Sequence, residues 1–180
     1  MRLGPYMLAT LVGIIPAGFV FRGGGARPSS NAGFNTYVWN LRYPGATTFQ
    51  GMILWSGSTG GPTAAPGTYT VKMTVGNRPP QTQTFVVKKD PRSTATDADL
   101  VAQHDMLIRI RDQVSRANNA VRTIRNAKYQ LADRRNKLTG AAASSFAPLA
   151  SAFADSLSAV EGEIYQVRNQ SGQDPLNFPI

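Results

Sequence analysis

Apolar residues alternate every second position up to Asp90-Pro91 and recur every three or four positions beyond it. Tyr69, Val71, Met73 and Val75 fall on one side of an extended chain, with Thr68, Thr70, Lys72 and Thr74 on the other, as a half-buried strand requires. From Leu100 two interleaved series take over: Leu100, Leu107, Val114, Val121 and Ile110, Ala117, Ile124, Leu131, Leu138. Their heptad-like spacing predicts one apolar stripe along a long helix. The pattern therefore predicts an α+β chain, a small β unit followed by a helical arm.

Within the β unit, Phe34 to Tyr43 alternates with Tyr37, Trp39, Leu41 and Tyr43 on one face, and Pro44-Gly45 ends it with turn chemistry. Met52 to Trp55 is a short apolar run that fits a second strand. A long Gly/Ser/Thr loop closes on Pro66-Gly67 before the strand TYTVKMTV, and Gly76-Asn77 turns the chain again. Pro79-Pro80 keeps the chain at an edge, and Gln83 to Lys88 supplies a further strand. Three or four strands suggest a small Ig-like sandwich, although a complete one has seven. Trp39, placed within the alternation, reads as core. Trp55 borders a Gly-rich loop and reads equally as core or as a partner contact.

Thr96 with Asp99 three residues on forms a capping box, and Asp97 suits the positive end of the helix dipole. The first helix extends to about Lys137, with Arg134, Arg135 and Lys137 at its negative end. About 40 residues at 1.5 Å each make it some 60 Å long. Gly140 to Ala147 reads as a small, flexible link. A second helix then carries Leu149, Phe153, Leu157, Val160, Ile164 and Val167 and stops near Ser171-Gly172. The short connection predicts a long antiparallel helical hairpin. Because its second arm is shorter, part of the first keeps its apolar stripe uncovered and in need of a partner.

The chain is 180 residues long, 42% hydrophobic, and carries 19 Lys plus Arg against 10 acids, a net charge of +9. That field favours acidic partners: lipid head groups, acidic protein faces or nucleic acid. Much of it sits on the first helix, where Arg109, Arg116, Arg122, Arg125, Arg134 and Arg135 are candidate partner contacts. Asp105 and Asp112 partly neutralise Arg109 and Arg116 at i+4, and the bland reading is a solvated face. Nucleic acid is the least favoured partner, since aromatic interleaving is nearly absent and no binding motif occurs.

Between Arg2 and Arg22 no residue is charged. Leu8, Leu11, Val12, Ile14, Ile15, Phe19 and Phe21 are candidate residues for anchoring to a membrane or partner. Three readings stay open: an uncleaved anchor, for which about 20 apolar residues suffice, a signal peptide, or an arm buried in a protein groove. The flanking charges nearly balance and set no orientation. Gly23-Gly24-Gly25 opens a Gly/Ser/Pro linker and lacks the Gly-Lys-Ser/Thr of a phosphate loop. The expected organisation is an anchor or signal-like segment over 1–22, a linker over 23–32, the Ig-like module over 33–92, the hairpin over 96–172 and a tail over 173–180.

The stretch GFNTYVWNLRYPGATTFQGMILWSGSTGGPTAAPGTYTVKMTV, with QTFVVKKDPR after it, resembles the C-terminal region of large exported bacterial proteins. These carry sialidase-like or sortilin-like β-propeller repeats followed by an Ig-like module similar to that of flagellar hook-capping proteins. The likeness runs on through DADLVAQHDMLIRIRD and EIYQVRNQSGQDPLNFPI, covering roughly residues 31 to 180. It implies a periplasmic or extracellular accessory region. Two departures stand out: the propeller is missing, and the family continues with a further helix where this chain stops at Ile180.

No catalytic constellation emerges. His104 is the lone histidine, and its neighbour Asp105 diverges from it on a helix. Glu161 and Glu163 diverge in the same way, and no Gly-x-Ser-x-Gly elbow is present. With no cysteine, disulfides and thiolate metal sites are excluded. The expectation is a non-catalytic, membrane-extrinsic structural subunit on the periplasmic side of a bacterial inner membrane, peripheral or N-terminally anchored. It binds other subunits of a membrane complex and the membrane surface, and uses no cofactor, metal or small-molecule substrate. Respiratory, secretion and photosynthetic reaction-centre assemblies all fit. The alternatives are an accessory region of an exported β-propeller enzyme acting on glycans or peptides, and a basic nucleic-acid binder.

Overall fold

The structure, a computed structural model, describes residues 36–54, 57–74 and 78–174, and the backbone alone at 14–15 and 19–20. It is α+β. Strand β1 spans Ile14–Ile15, β2 Phe19–Val20, β3 Gly67–Met73 and β4 Gln81–Val87; helix α1 spans Asp97–Lys137 and α2 Gly140–Ile164. All strand pairs are antiparallel, in the order β2-β1-β3-β4. The ladder that matters is β3 with β4, in register from Gly67 opposite Val87 to Met73 opposite Gln81. Two compact units form: one holds residues 1–45 and 60–110, the other 46–59 and 111–180.

In the first unit, β3 alternation places Tyr69 inward, where it is buried beside Tyr43 and Ala64. Trp39, Phe85, Val87 and Ile108 pack on this cluster, so Trp39 is core as expected. The Trp39 ring lies 5.6 Å from Tyr69 and 6.0 Å from Phe85 between centroids, in tilted and edge-on geometries that favour the ring quadrupoles. The predicted strand over Phe34 to Tyr43 does not form among its described residues. Leu41 takes a left-handed φ of 58°, and the Trp39 indole N–H donates to the Arg42 carbonyl at 3.0 Å, so the run curls instead of extending. Its end still pairs locally: Tyr43 N–H donates to Pro62 O at 2.9 Å and Ala64 N–H to Leu41 O at 2.7 Å. Gly61 sits where this pairing is tightest, because a Cβ there would fall on the Tyr43 carbonyl. Residues 52–54 of the second predicted strand are likewise irregular, following the 49–52 turn that Gly51 makes at a φ of 75°. An Ig-like sandwich is not established by these elements.

Helix α1 contributes its residues up to Ile110 to the first unit and those from Arg111 to the second. Its start is the predicted capping box: Thr96 N–H and Oγ1 both donate to Asp99 Oδ2 (3.0 and 2.6 Å), and Asp99 N–H donates back to Thr96 Oγ1 at 3.1 Å. Its end falls at Lys137, as expected. Gly140 to Ala147, read from sequence as a link, is helical: alanine-rich sequence propagates a helix readily, leaving Leu138 and Thr139 to connect the two. Pro148 is accommodated inside α2, and the helix stops at Ile164, short of Val167. Tyr165 leaves it in extended geometry with its N–H on Glu161 O at 2.9 Å.

Candidate functional site

On α1 the residues of lowest exposure are Val121, Ile124 and Asn118. The backbone of Thr47 ties on to this segment at both its N–H and its carbonyl. Thr47 N–H donates to Ser115 Oγ at 3.0 Å, and the Asn118 amide donates to Thr47 O at 2.6 Å. Further along, Arg125 Nε meets Glu161 Oε1 at 2.7 Å, and Lys128 Nζ meets Glu161 Oε2 at 3.3 Å. The Arg125 guanidinium stacks over Phe49 at 4.7 Å and Tyr165 at 5.5 Å, and also donates to Gln50 O at 3.2 Å. Tyr165 Oη in turn accepts from Ile53 N–H at 2.9 Å. Glu161 is only 3% exposed. Burial alone pushes its carboxyl up, but hydrogen bonds and charge from Arg125 and Lys128 outweigh that and hold it below its ordinary value.

Arg125, expected from sequence to meet a partner, is thus turned to an internal use; its carboxylate and rings come from segments remote along the chain. Arg109, Arg116, Arg122, Arg134 and Arg135 are exposed, as a contact surface requires. Arg116 and Arg122 lean on their own helix, donating to Gln113 and Asn119. Trp55, Leu8, Leu11, Val12 and Phe21 lie outside the described residues. At Ile14, Ile15 and Phe19 the backbone is in β1 and β2, so no continuous helix passes through them. Among the described residues no helix is long and apolar enough to cross a membrane, and no group of three potential metal ligands converges.

His104 is buried: its Nδ1–H donates to Thr63 O at 2.8 Å, and its ring lies 4.6 Å from that of Tyr43. Its place is in the core of the first unit.

The surface that sequence reasoning missed is on α2. Leu149, Phe153, Leu157, Val160 and Ile164 were expected to form the packed face. Instead Leu149 is 70% exposed, Phe153 54% and Val160 52%. The covered face is Ala143, Ala147, Ala150, Ala154, Leu157, Glu161 and Ile164, none of them exposed and spaced by strict fours and threes. At 100° per residue, the exposed large side chains lie roughly 80–100° around the helix from this face. The alanine spacing was the available signal; the preference for large side chains hid it. On α1, Leu107, Ile110 and Val114 are also exposed, so the stripe is uncovered along that stretch as expected.

No family model, curated protein or solved structure matches the chain.

Proposed function

We propose that this chain is a non-catalytic structural subunit that braces a larger bacterial membrane protein complex from its periplasmic side. In this reading the β segments and their aromatic cluster form an Ig-like module of the hook-capping type. The two helices form an antiparallel hairpin, supported by the Arg125–Glu161 and Lys128–Ser158 contacts between them. The observation that carries the reading is the exposed Leu149–Phe153–Val160 stripe on a protein that also exposes a row of arginines on α1. Three large apolar side chains in one line along a helix need cover, and arginine is favoured where protein surfaces meet. The resemblance to exported accessory regions agrees with a periplasmic location.

The test is size in mild detergent. Membranes carrying a tagged copy at its natural abundance are solubilised and resolved by native electrophoresis. Migration of most of the chain in one large complex, dispersed by L149S/F153S, is expected. Recovery solely as a free monomer would overturn the proposal.

A further inference from the structure

We propose that the free edge of β4 takes up an extended acidic segment of another protein as an added strand. In the sheet order β2-β1-β3-β4, β3 is paired on both sides and β4 on one only. Residues Gln81 to Val87 pair one-to-one with β3, so no bulge twists the edge away. Every second residue of an outermost strand aims its N–H and C=O away from the sheet, where another strand can meet them. Natural edges are closed by charge, proline or irregularity. Gln81 to Val87 has none of these, and its Thr, Phe and Val side chains favour extended chain. Phe85 and Val87 pack on the aromatic cluster, while Thr82, Thr84 and Val86 lie on the opposite face, all three exposed. Edge pairing lies within the first unit and does not depend on how the two helices pack or on the bracing role.

Charge selects the occupant. Asp90 is the first acidic residue in the chain, so no carboxylate lies in the sheet or before it. Asp90 itself already holds Arg92 at 2.6 Å. Arg78 precedes β4 and Lys88 follows it, both exposed, and Lys72 of β3 stands opposite Thr82. None of these three cations has an ion-pair partner among the described residues. A second copy would bring more cations to this edge, and like charges set across a strand pair destabilise it. A segment with carboxylates at each end and an uncharged, β-branched middle fits instead. Its ends meet Arg78 and Lys88, and its backbone completes the ladder, the main-chain bonds giving affinity and the alternate side chains specificity. Pro79-Pro80 at one end and Lys88-Lys89 at the other bound the open stretch to the 7 residues of β4. Nucleic acid or lipid would use the same cations but not the backbone edge.

The probe is an end-capped, fluorophore-labelled peptide, EETVTVTVTEE, titrated into the full chain; its like-charged ends keep it from pairing with itself. Anisotropy reads affinity and amide hydrogen exchange reads the place of binding. Alternate amides within Gln81 to Val87, open in the free chain, gain protection, and β3 keeps the protection it had. N-methylation of every central residue of the peptide lowers affinity at least about tenfold at constant charge, because several backbone hydrogen bonds are lost. Replacing each Glu of the peptide by Lys abolishes binding. R78Q/K88Q lowers affinity by about 3- to 10-fold and flattens its decline with salt. Both side chains are exposed, and an unchanged exchange pattern in the free variant confirms its fold. Absence of binding, equal binding of the Lys-flanked peptide, or protection gained only outside β4 overturns strand addition. An N-methylated peptide that binds as well overturns it in favour of a polyanion such as nucleic acid or anionic lipid. Protection of β4 that rises with protein concentration, without peptide, overturns it in favour of a second copy.

Discussion

Around Tyr69, rings from Trp39, Tyr43 and Phe85 crowd against Ala64 and Val87, and polar atoms enter only where a hydrogen bond is waiting. Around Glu161, one buried carboxylate collects Arg125 and Lys128, and the arginine lies between two rings. The first cluster is held by removal of apolar surface from water, at roughly 25 cal/mol per Å2, plus favourable ring geometry. The second repays the desolvation of a carboxylate with charge-assisted hydrogen bonds, and little margin remains once any partner is lost. One should respond to changes of shape, the other to changes of charge and pH.

The largest effect is expected from shape. Gly61 stands where the chain crosses Tyr43 and Pro44, and a methyl group there must displace backbone instead of a flexible side chain. Gly61→Ala should destabilise the first unit by at least about 3 kcal/mol. It should also open the Tyr43 and Ala64 amides to hydrogen exchange while protection around Val121 persists. Equal loss of protection in both regions would show that the two clusters melt together, erasing the contrast.

Charge comes next. Glu161→Ala leaves Arg125 and Lys128 without their carboxylate, but their side chains are 37% and 34% exposed and can rehydrate. The expected cost is therefore about 2 kcal/mol, below the range for a fully buried pair, with lost protection confined to 118–161. The pH dependence has a fixed sign. Glu161 titrates below its ordinary value of 4.5 in the folded chain. Its contribution is complete above about pH 4.5 and disappears as pH falls through the lower folded value. Thermal unfolding of the second unit should weaken across that acid range, more steeply than in Glu161→Gln. Identical slopes in both proteins would place the acid sensitivity elsewhere.

How much of this was legible in the sequence depends on how local the cause is. The ends of α1 are written within a turn of themselves, in Thr96–Asp99 and in Arg134, Arg135 and Lys137. The existence of β3 and the packing of Trp39 were equally readable, although only Tyr69 is buried along β3 and Thr70 to Met73 share one intermediate burial. The Phe34–Tyr43 strand failed because a left-handed Leu41 and an indole hydrogen bond to Arg42 override alternation over a few residues. The covered face of α2 was misassigned because size was weighed above spacing, and the alanines at three- and four-residue intervals are the less exposed positions. Arg125 was illegible as an internal group, since Phe49, Gln50 and Glu161 reach it only after folding. The exposed Leu149 and Phe153 became visible as a surface only once the alanine face was known.

The smallest expected effect contrasts the two helix starts. Thr96 and Asp99 satisfy one another reciprocally, and the Asp99 carboxyl is held below its usual range chiefly by the Thr96 hydroxyl. Thr139 occupies the corresponding place before α2 in extended geometry, with no side-chain hydrogen bond to the helix. Thr96→Ala should therefore cost about 1 kcal/mol, whereas Thr139→Ala should change the midpoint of urea unfolding by less than its error. Both residues precede a helix and both are threonines, so composition alone predicts equal losses. If the two variants cost the same, the capping box adds nothing beyond propensity, and α1 owes its sharp start to the packing of Ile108 on the aromatic cluster.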